Sequence, residues 1–160
     1  MVVIGIDPGK TGGIAFMNSE SNCKAFPLPI EINRVDVGKL QEIILEQAQY
    51  TPVRYKSVAY IERQHVRAMQ RGGILIGENY GRVLAVLDLL EIPYVEVLPY
   101  TWKGTLFPGV NTKGDKEITV KRCLDQGYKL PTLRPNGKKL HDGVADAICI
   151  AAYGWIHQDS

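Results

Sequence analysis

Two short apolar runs, each followed by an acidic residue, constrain the fold of this 160-residue chain more than any other feature. Residues 2–6 are apolar and largely β-branched, and Asp7 follows them directly, before a Pro-Gly turn. Residues 57–61 have a similar character and are followed by Glu62. Such runs predict buried strands. Open α/β sheets place their sites where strands end, so if these strands are parallel neighbours, Asp7 and Glu62 lie side by side.

The pattern around these runs predicts one α/β domain that covers residues 1–160. Further strands are predicted at residues 12–17, 23–27 and 94–98, so the chain opens as an antiparallel meander. Apolar residues spaced by three and four predict helices at residues 35–49, 73–90, 116–126 and 142–156. This order is typical of a mixed sheet with helices on its faces. Gly77 and Gly81 lie within the longest helix, which indicates either a closely packed neighbouring backbone or a dimer interface.

The start of the last predicted helix supplies a third acidic group. Asp142 and Asp146 are four residues apart, which places both on one face of a helix, and His141 precedes them. Asp142 alone also fits a helix N-cap. A cap does not explain Asp146, because its neighbours Ala145 and Ala147 are apolar.

Together these acids form a hard oxygen ligand set, with one imidazole beside it, of the kind that suits Mg²⁺ or Mn²⁺. Two carboxylates at close range repel each other unless a cation lies between them. Two such ions about 4 Å apart can activate a water and stabilise the leaving oxygen of a phosphodiester. Simpler roles stay open, since Asp7 also fits a turn cap and Glu62 also fits an ion pair with Arg63 or Arg67.

Charge and cysteine content narrow the classes of partner and compartment. The net charge is +2, but residues 101–140 hold nine Lys and Arg against three Asp and Glu. Such a segment is typical of a polyanion-binding face, although a solvated loop with surplus lysines also fits. The three cysteines have no CxxC spacing, which favours a reducing compartment over disulfides or structural zinc. With no long apolar run and no signal peptide pattern, we expect a cytoplasmic protein with no membrane partner, or an organellar one whose transit peptide was removed.

Three motifs occur in order along the chain: IGIDPG at residues 4–9, YIERQ at 60–64 and ADAICIA at 145–151. The ordered set resembles the RuvC family of Holliday junction resolvases, which belongs to the RNase H-like nucleases. Residues 77–82, 98–103 and 113–117 look similar to that family too, and the stretch HDGVADA at 141–147 looks closest to phage-borne and chloroplast members. The resemblance implies an RNase H-like fold, with a mixed five-stranded sheet and helices on both faces.

The resemblance also implies a homodimer that nicks four-way DNA junctions symmetrically with Mg²⁺ or Mn²⁺, two ions in each site, and no small-molecule cofactor. The residues that match the family's metal ligands are Asp7, Glu62 and Asp146. Many members carry a fourth ligand, a carboxylate or a histidine, three residues before the last Asp. This chain has Gly143 there, so Asp142 or His141, or both, would substitute.

Basic residues are the predicted contacts to DNA. A lysine near the ions can steady the charge on the scissile phosphate, and Lys116 is the candidate because the resemblance is strongest around it. Trp102 and Phe107 are predicted core residues. The predicted DNA contacts are Arg63, His65, Arg67, Arg71, Lys103, Lys113, Lys116 and Lys121.

Three other functions compete with junction resolution. A different RNase H-like nuclease, acting on RNA, duplex ends, branched DNA or RNA–DNA hybrids, would use the same ligands, and a monomer would favour it. A junction-binding protein that does not cleave would keep the fold, but the intact acidic residues argue against it. An actin-like ATPase needs a second glycine-rich phosphate hairpin and a much longer chain, and this sequence has neither.

Overall fold

The computed structural model describes residues 1–47, 57–65, 71–115 and 117–158. The strands are β1 (Val2–Asp7), β2 (Gly13–Ser19), β3 (Asn22–Pro27), β4 (Ile30–Glu31), β5 (Arg34–Val35), β6 (Ser57–Glu62) and β7 (Tyr94–Val97). The helices are α1 (Val37–Gln47), α2 (Gly73–Leu89), α3 (Pro99–Leu106), α4 (Ile118–Asp125) and α5 (Asp142–His157).

The main sheet has five strands in the order β3-β2-β1-β6-β7. β2 pairs antiparallel with both β1 and β3, whereas β6 pairs parallel with both β1 and β7. The predicted mixed five-stranded sheet is therefore confirmed. The β1–β6 register pairs Ile6 with Ile61, so Asp7 and Glu62 are the next residues on adjacent parallel strands and reach the same edge.

Strand alternation decides which face of the sheet carries the acidic residues. Ile4 packs into the hydrophobic cluster that includes α1 and α2, whereas Val3 packs into the cluster that includes α5. Side chains two residues apart on a strand share a face. Asp7 therefore lies on the face of Val3, and Glu62 lies on the face of Tyr60, which also packs with α5. Both carboxylates project toward the helix that carries the third acidic group.

Glycines allow α5 to pack directly on β1. A Cβ added at Gly5 would collide with backbone atoms of Ala147 and Ala151 on the helix. At the start of α5, a Cβ added at Gly143 would collide with the carbonyl oxygen of Thr11. Position 143 therefore has no room for a ligating side chain, which explains why glycine stands where the resemblance implies a ligand.

The structure differs from the sequence prediction mainly around the helices. It adds α3, an eight-residue helix with Pro99 in its first turn, and the small β4–β5 hairpin, neither of which the pattern predicted. The built Cβ positions at Gly77 and Gly81 meet no atom within 4 Å, so a closely packed backbone at those glycines was a wrong expectation for the described part of the chain. No helix within the described ranges is both long and apolar enough to cross a membrane.

Candidate active site

Four carboxylates gather at the sheet edge where β1 and β6 end. Asp142 and Asp146 come from the first turns of α5, and together with Asp7 they line a cavity of about 310 Å³. Glu62 does not line that cavity, but its charge acts on Asp7. The structure thus brings together the three matched acids and Asp142 from three segments of the chain.

All four carboxylates accept a hydrogen bond at one oxygen; Asp142 Oδ1 accepts from its neighbour Gly143 N at 3.1 Å, and the other three have donors more distant in sequence. Those three bonds are from Gly9 N to Asp7 Oδ1 at 3.0 Å, from Trp102 Nε1 to Glu62 Oε2 at 2.8 Å, and from Thr119 Oγ1 to Asp146 Oδ1 at 2.6 Å. The side-chain donors come from α3 and from α4, which pack on the same side of the sheet as α5. Each of these three bonds involves one carboxylate oxygen, and the second oxygen of the same carboxylate takes no part in it.

Of the simpler roles considered for these acids, the structure shows the turn cap of Asp7 and does not show an ion pair between Glu62 and Arg63. Asp7 does close the Pro-Gly turn through Gly9, so its turn-capping role and its place in the cluster coexist. Arg63 does not pair with Glu62; its Nε lies 3.9 Å from Glu96 Oε2. The other suggested partner, Arg67, lies outside the described residues.

Burial and mutual repulsion make the ionised form of these carboxylates unfavourable. Burial raises the pKa of Asp7 well above its ordinary value, and the charges of Asp146, Glu62 and Asp142 raise it further. Burial also raises the pKa of Glu62 and of Asp146, and in both cases a donated hydrogen bond opposes the rise. Charged carboxylates removed from water and placed beside each other are costly unless positive charge compensates them.

The donor chemistry of the cluster fits a hard divalent cation, because carboxylate oxygens are the ligands that Mg²⁺ and Mn²⁺ prefer. Their positions fit it less closely. No three acidic, histidine or cysteine side chains in the described part of the chain converge enough to hold one ion between them. Neighbouring carboxylate charges thus raise the pKa of Asp7, Glu62 and Asp146, although the described side chains do not converge on a single point.

Lys103 brings positive charge to the cluster. It lines the same cavity as Asp7, Asp142 and Asp146, and its charge lowers the pKa of Asp146. Its ammonium lies 5.0 Å from the ring centroid of Trp102. The predicted catalytic lysine, Lys116, lies outside the described residues, whereas Lys103 lines the cavity with the carboxylates.

The two candidates for the fourth ligand lie in different environments. His141 is the N-cap of α5, and its Nδ1 accepts a hydrogen bond from the backbone N–H of Val144 at 3.2 Å. It is buried, burial lowers its pKa, and it does not line the cavity. Asp142 lines the cavity, with Oδ2 3.5 Å from Lys139 Nζ. The structure therefore places Asp142, not His141, beside the other acids.

Five of the predicted DNA contacts are exposed in the described part of the chain, and they do not share one cavity. Arg63, His65, Lys113 and Lys121 are all exposed. Exposed Arg71 lines a cavity of about 260 Å³ beside the β1–β2 turn, and Lys121 lines a separate one of about 690 Å³ beside α4. Lys103 lies with the carboxylates instead, and Arg67 and Lys116 are outside the described residues.

Sequence reasoning missed the hydrogen-bonding roles of Trp102 and Thr119. Trp102 is a buried core residue as predicted, but it also donates to Glu62. One signal was available, since β7 is parallel to β6 and the residues after it reach the edge where Glu62 ends. Thr119 and Cys123 are one helical turn apart and both buried, and a polar residue on a buried helix face indicates a partner.

The sheet order, the helices on both faces and the acids at the strand ends are those of an RNase H-like fold. Solved structures with this architecture include RuvC from Thermus thermophilus in complex with a Holliday junction substrate. That structure has a TM-score of 0.62 and 20% identity, with 99% of this chain and 95% of that chain covered. A second structure of Thermus thermophilus RuvC has a TM-score of 0.57 and 22% identity, with 99% and 97% covered.

The yeast mitochondrial Holliday junction resolvase Ydc2 is also similar, with a TM-score of 0.51 and 19% identity over 96% of this chain and 77% of that one. No protein-family model matches the chain, and no curated protein matches it in sequence. At these identities the likeness establishes the fold. The predicted RuvC-like fold is therefore confirmed along nearly the whole chain.

Proposed function

We propose that this protein is a structure-selective endonuclease that resolves four-way DNA junctions by metal-dependent hydrolysis of phosphodiester bonds. The observation that carries the proposal is the meeting of Asp7, Glu62 and Asp146 at one sheet edge within a RuvC-type fold. A protein of that fold has been solved with a Holliday junction substrate. Because a different RNase H-like nuclease would use the same ligands, the substrate has to be tested directly.

The carboxylates would hold the ions in this proposal. Asp7, Glu62 and Asp146 are the ligands we propose, with Asp142 as the fourth, and the number of ions is two per site. A bound divalent ion supplies Lewis acidity and an activated water for attack on phosphorus. Lys103 lies where an ammonium can balance the charge that builds on the scissile phosphate. His141 is left with the helix cap that it forms.

The function is tested by offering labelled four-way junction, linear duplex and RNA–DNA hybrid to the protein, with and without Mg²⁺. We expect cleavage of the junction alone, only with Mg²⁺, as paired nicks at symmetrical positions in opposite strands. Cleavage of the hybrid with the junction left intact would identify the alternative RNase H-like nuclease. Tight junction binding without any cleavage in Mg²⁺ or Mn²⁺ would identify a binding protein.

We also propose that the protein acts as a homodimer through the exposed side of α2. Gly77 and Gly81 are open there, and Ile74, on the same side at helical spacing, is 91% exposed. Small residues allow close approach of a second backbone, and exposed apolar side chains favour burial. Sedimentation equilibrium should give twice the 17.8 kDa mass of the chain, and a monomer at micromolar concentration would contradict the proposal.

The exposed lysines give a prediction for DNA binding. Replacing Lys113 and Lys121 together by Ala should weaken junction binding and flatten its salt dependence, because each phosphate that a lysine neutralises releases counterions. The slope of log K against log salt should fall by about one for each phosphate left without its lysine. Fluorescence anisotropy between about 50 and 200 mM salt measures it. As a control, Lys39→Ala on α1, whose lysine pairs with Asp36, should leave the slope unchanged.

A further inference from the structure

We infer that Thr119 and Trp102 are positioning residues: each holds one carboxylate oxygen, of Asp146 and of Glu62 respectively, and leaves the other oxygen to bind a divalent cation. This inference rests on the proposed metal-dependent function and adds two residues to it. Neither residue touches the substrate in this scheme; each acts through the carboxylate that it holds.

The first observation is the geometry of the two hydrogen bonds. Thr119 Oγ1 donates to Asp146 Oδ1 at 2.6 Å, and Trp102 Nε1 donates to Glu62 Oε2 at 2.8 Å. An indole N–H can only donate, so the Trp102 N–H pairs with a carboxylate oxygen and cannot itself coordinate a metal ion. Hydrogen bonds to ionised carboxylates are shorter and stronger than neutral ones, and both distances lie in that range.

The second observation is that neither donor is free to move away. Trp102 is fully buried and Thr119 is 1% exposed. Trp102 packs in the core cluster with Cys123, Ala145 and Ile148, where α3, α4 and α5 meet. A donor locked by packing holds its acceptor in one orientation at little entropic cost.

The third observation is that the two donors complete a pattern. Asp7 has its own donor, the backbone N–H of Gly9, again to a single oxygen. One oxygen is thus tied to the protein on a carboxylate from each of β1, β6 and α5. Metal sites are commonly built in this way, with outer hydrogen bonds that orient the ligands.

A purely structural role is the competing explanation, because a buried hydroxyl or indole N–H needs some acceptor wherever it lies. The two roles differ in what they predict for metal binding. A structural role affects only the stability of the fold, whereas a positioning role affects Mn²⁺ affinity in a protein that stays folded.

The test is Mn²⁺ titration of the full chain, followed by electron paramagnetic resonance of the free ion. Thr119→Val has nearly the shape of threonine without the hydroxyl, and it should weaken Mn²⁺ binding by about 10- to 100-fold. Thr119→Ser restores the hydroxyl and should bind Mn²⁺ close to wild type. The matched control is Thr105→Val, which loses an exposed hydroxyl bonded to the Thr101 carbonyl oxygen and should change nothing.

Trp102→Phe removes the second donor, and it keeps the inference testable if a Thr119 variant does not fold. It should weaken Mn²⁺ binding by a similar factor, while thermal melting in EDTA reports any loss of packing separately. Equal Mn²⁺ affinity in Thr119→Val, Thr119→Ser and wild type would overturn the positioning role, as would absence of Mn²⁺ binding in wild type. If the affinities separate as expected but no junction is cleaved, the proposed function fails and the positioning role stands.

Discussion

Asp7→Asn is expected to abolish junction cleavage and leave junction binding intact. Asn keeps an oxygen that accepts the hydrogen bond from Gly9, so the turn after β1 is preserved. It removes the negative charge from the centre of the cluster, where Asp7 is coupled to Asp146 and Glu62. Loss of about 4 kcal/mol of charge stabilisation in the transition state corresponds to a fall of about 1,000-fold in cleavage rate.

The same substitution should raise the thermal stability of the metal-free protein. Burial and neighbouring charges raise the pKa of Asp7 in the folded state, whereas in the unfolded state it stays about 4. As pH rises, the unfolded chain therefore loses this proton first, and the folded state becomes less favourable until its own pKa is passed. At pH 8 in EDTA the wild type therefore carries a charge penalty that is much smaller at pH 4, and Asp7→Asn carries none.

The loss of cleavage and the gain in thermal stability are measured on the same Asp7→Asn protein. Single-turnover cleavage and junction binding report function, and melting in EDTA at pH 8 and pH 4 reports the charge penalty. The melting advantage of Asp7→Asn should shrink at pH 4, where Asp7 of the wild type is protonated. Full cleavage by Asp7→Asn would end the catalytic assignment, and a variant that melts below wild type at pH 8 would show that the cluster is not strained.

Gly5→Ala is expected to destabilise the fold strongly for the addition of a single methyl group. The added Cβ meets backbone atoms of Ala147 and Ala151, which cannot rotate away as a side chain would. Overpacking typically costs about 1–3 kcal/mol, and a collision with two backbone groups lies at the upper end, about 3 kcal/mol. For a domain of this length that is a fall of about 6–12 °C in Tm.

Gly104→Ala is the matched control for Gly5→Ala. It also adds one methyl to a glycine in a regular element, but no atom lies within 4 Å of the added Cβ. Ala in a helix is favoured over Gly, so this variant should gain about 0.5–1 kcal/mol. Gly5→Ala should also lose cleavage, since α5 carries Asp146. A Gly5→Ala protein that melts with wild type would show that α5 does not pack on β1 this closely.

Much of the fold follows from local pattern, and the acids at the strand ends show why. Apolar β-branched runs define β1 and β6, and the step from Ile6 to Asp7 or from Ile61 to Glu62 marks where each run leaves the core. Strand period then fixes the face on which each carboxylate lies. The pairing of β1 with β6 could be proposed from the sequence, but only the structure gives its register.

The parts that could not be predicted depend on contacts between distant segments. Nothing near Thr119 in sequence shows that Asp146 lies 2.6 Å from its hydroxyl, because α4 and α5 are brought together by core packing. The choice between Asp142 and His141 also depended on one tertiary contact. The backbone of Thr11 fills the space beside Gly143, and the adjacent His141 caps α5 and so lies away from the cavity.

The packing of the last helix on the first strand also determines when the acidic cluster can be completed during synthesis. Asp7 and Glu62 leave the ribosome early, but Asp146 and Asp142 are translated long after them. Until α5 docks, β1 lacks the surface that covers Val3 and Gly5, and the acidic cluster is incomplete. A nascent or prematurely terminated polypeptide therefore lacks the complete acidic cluster on which the proposed nuclease activity depends.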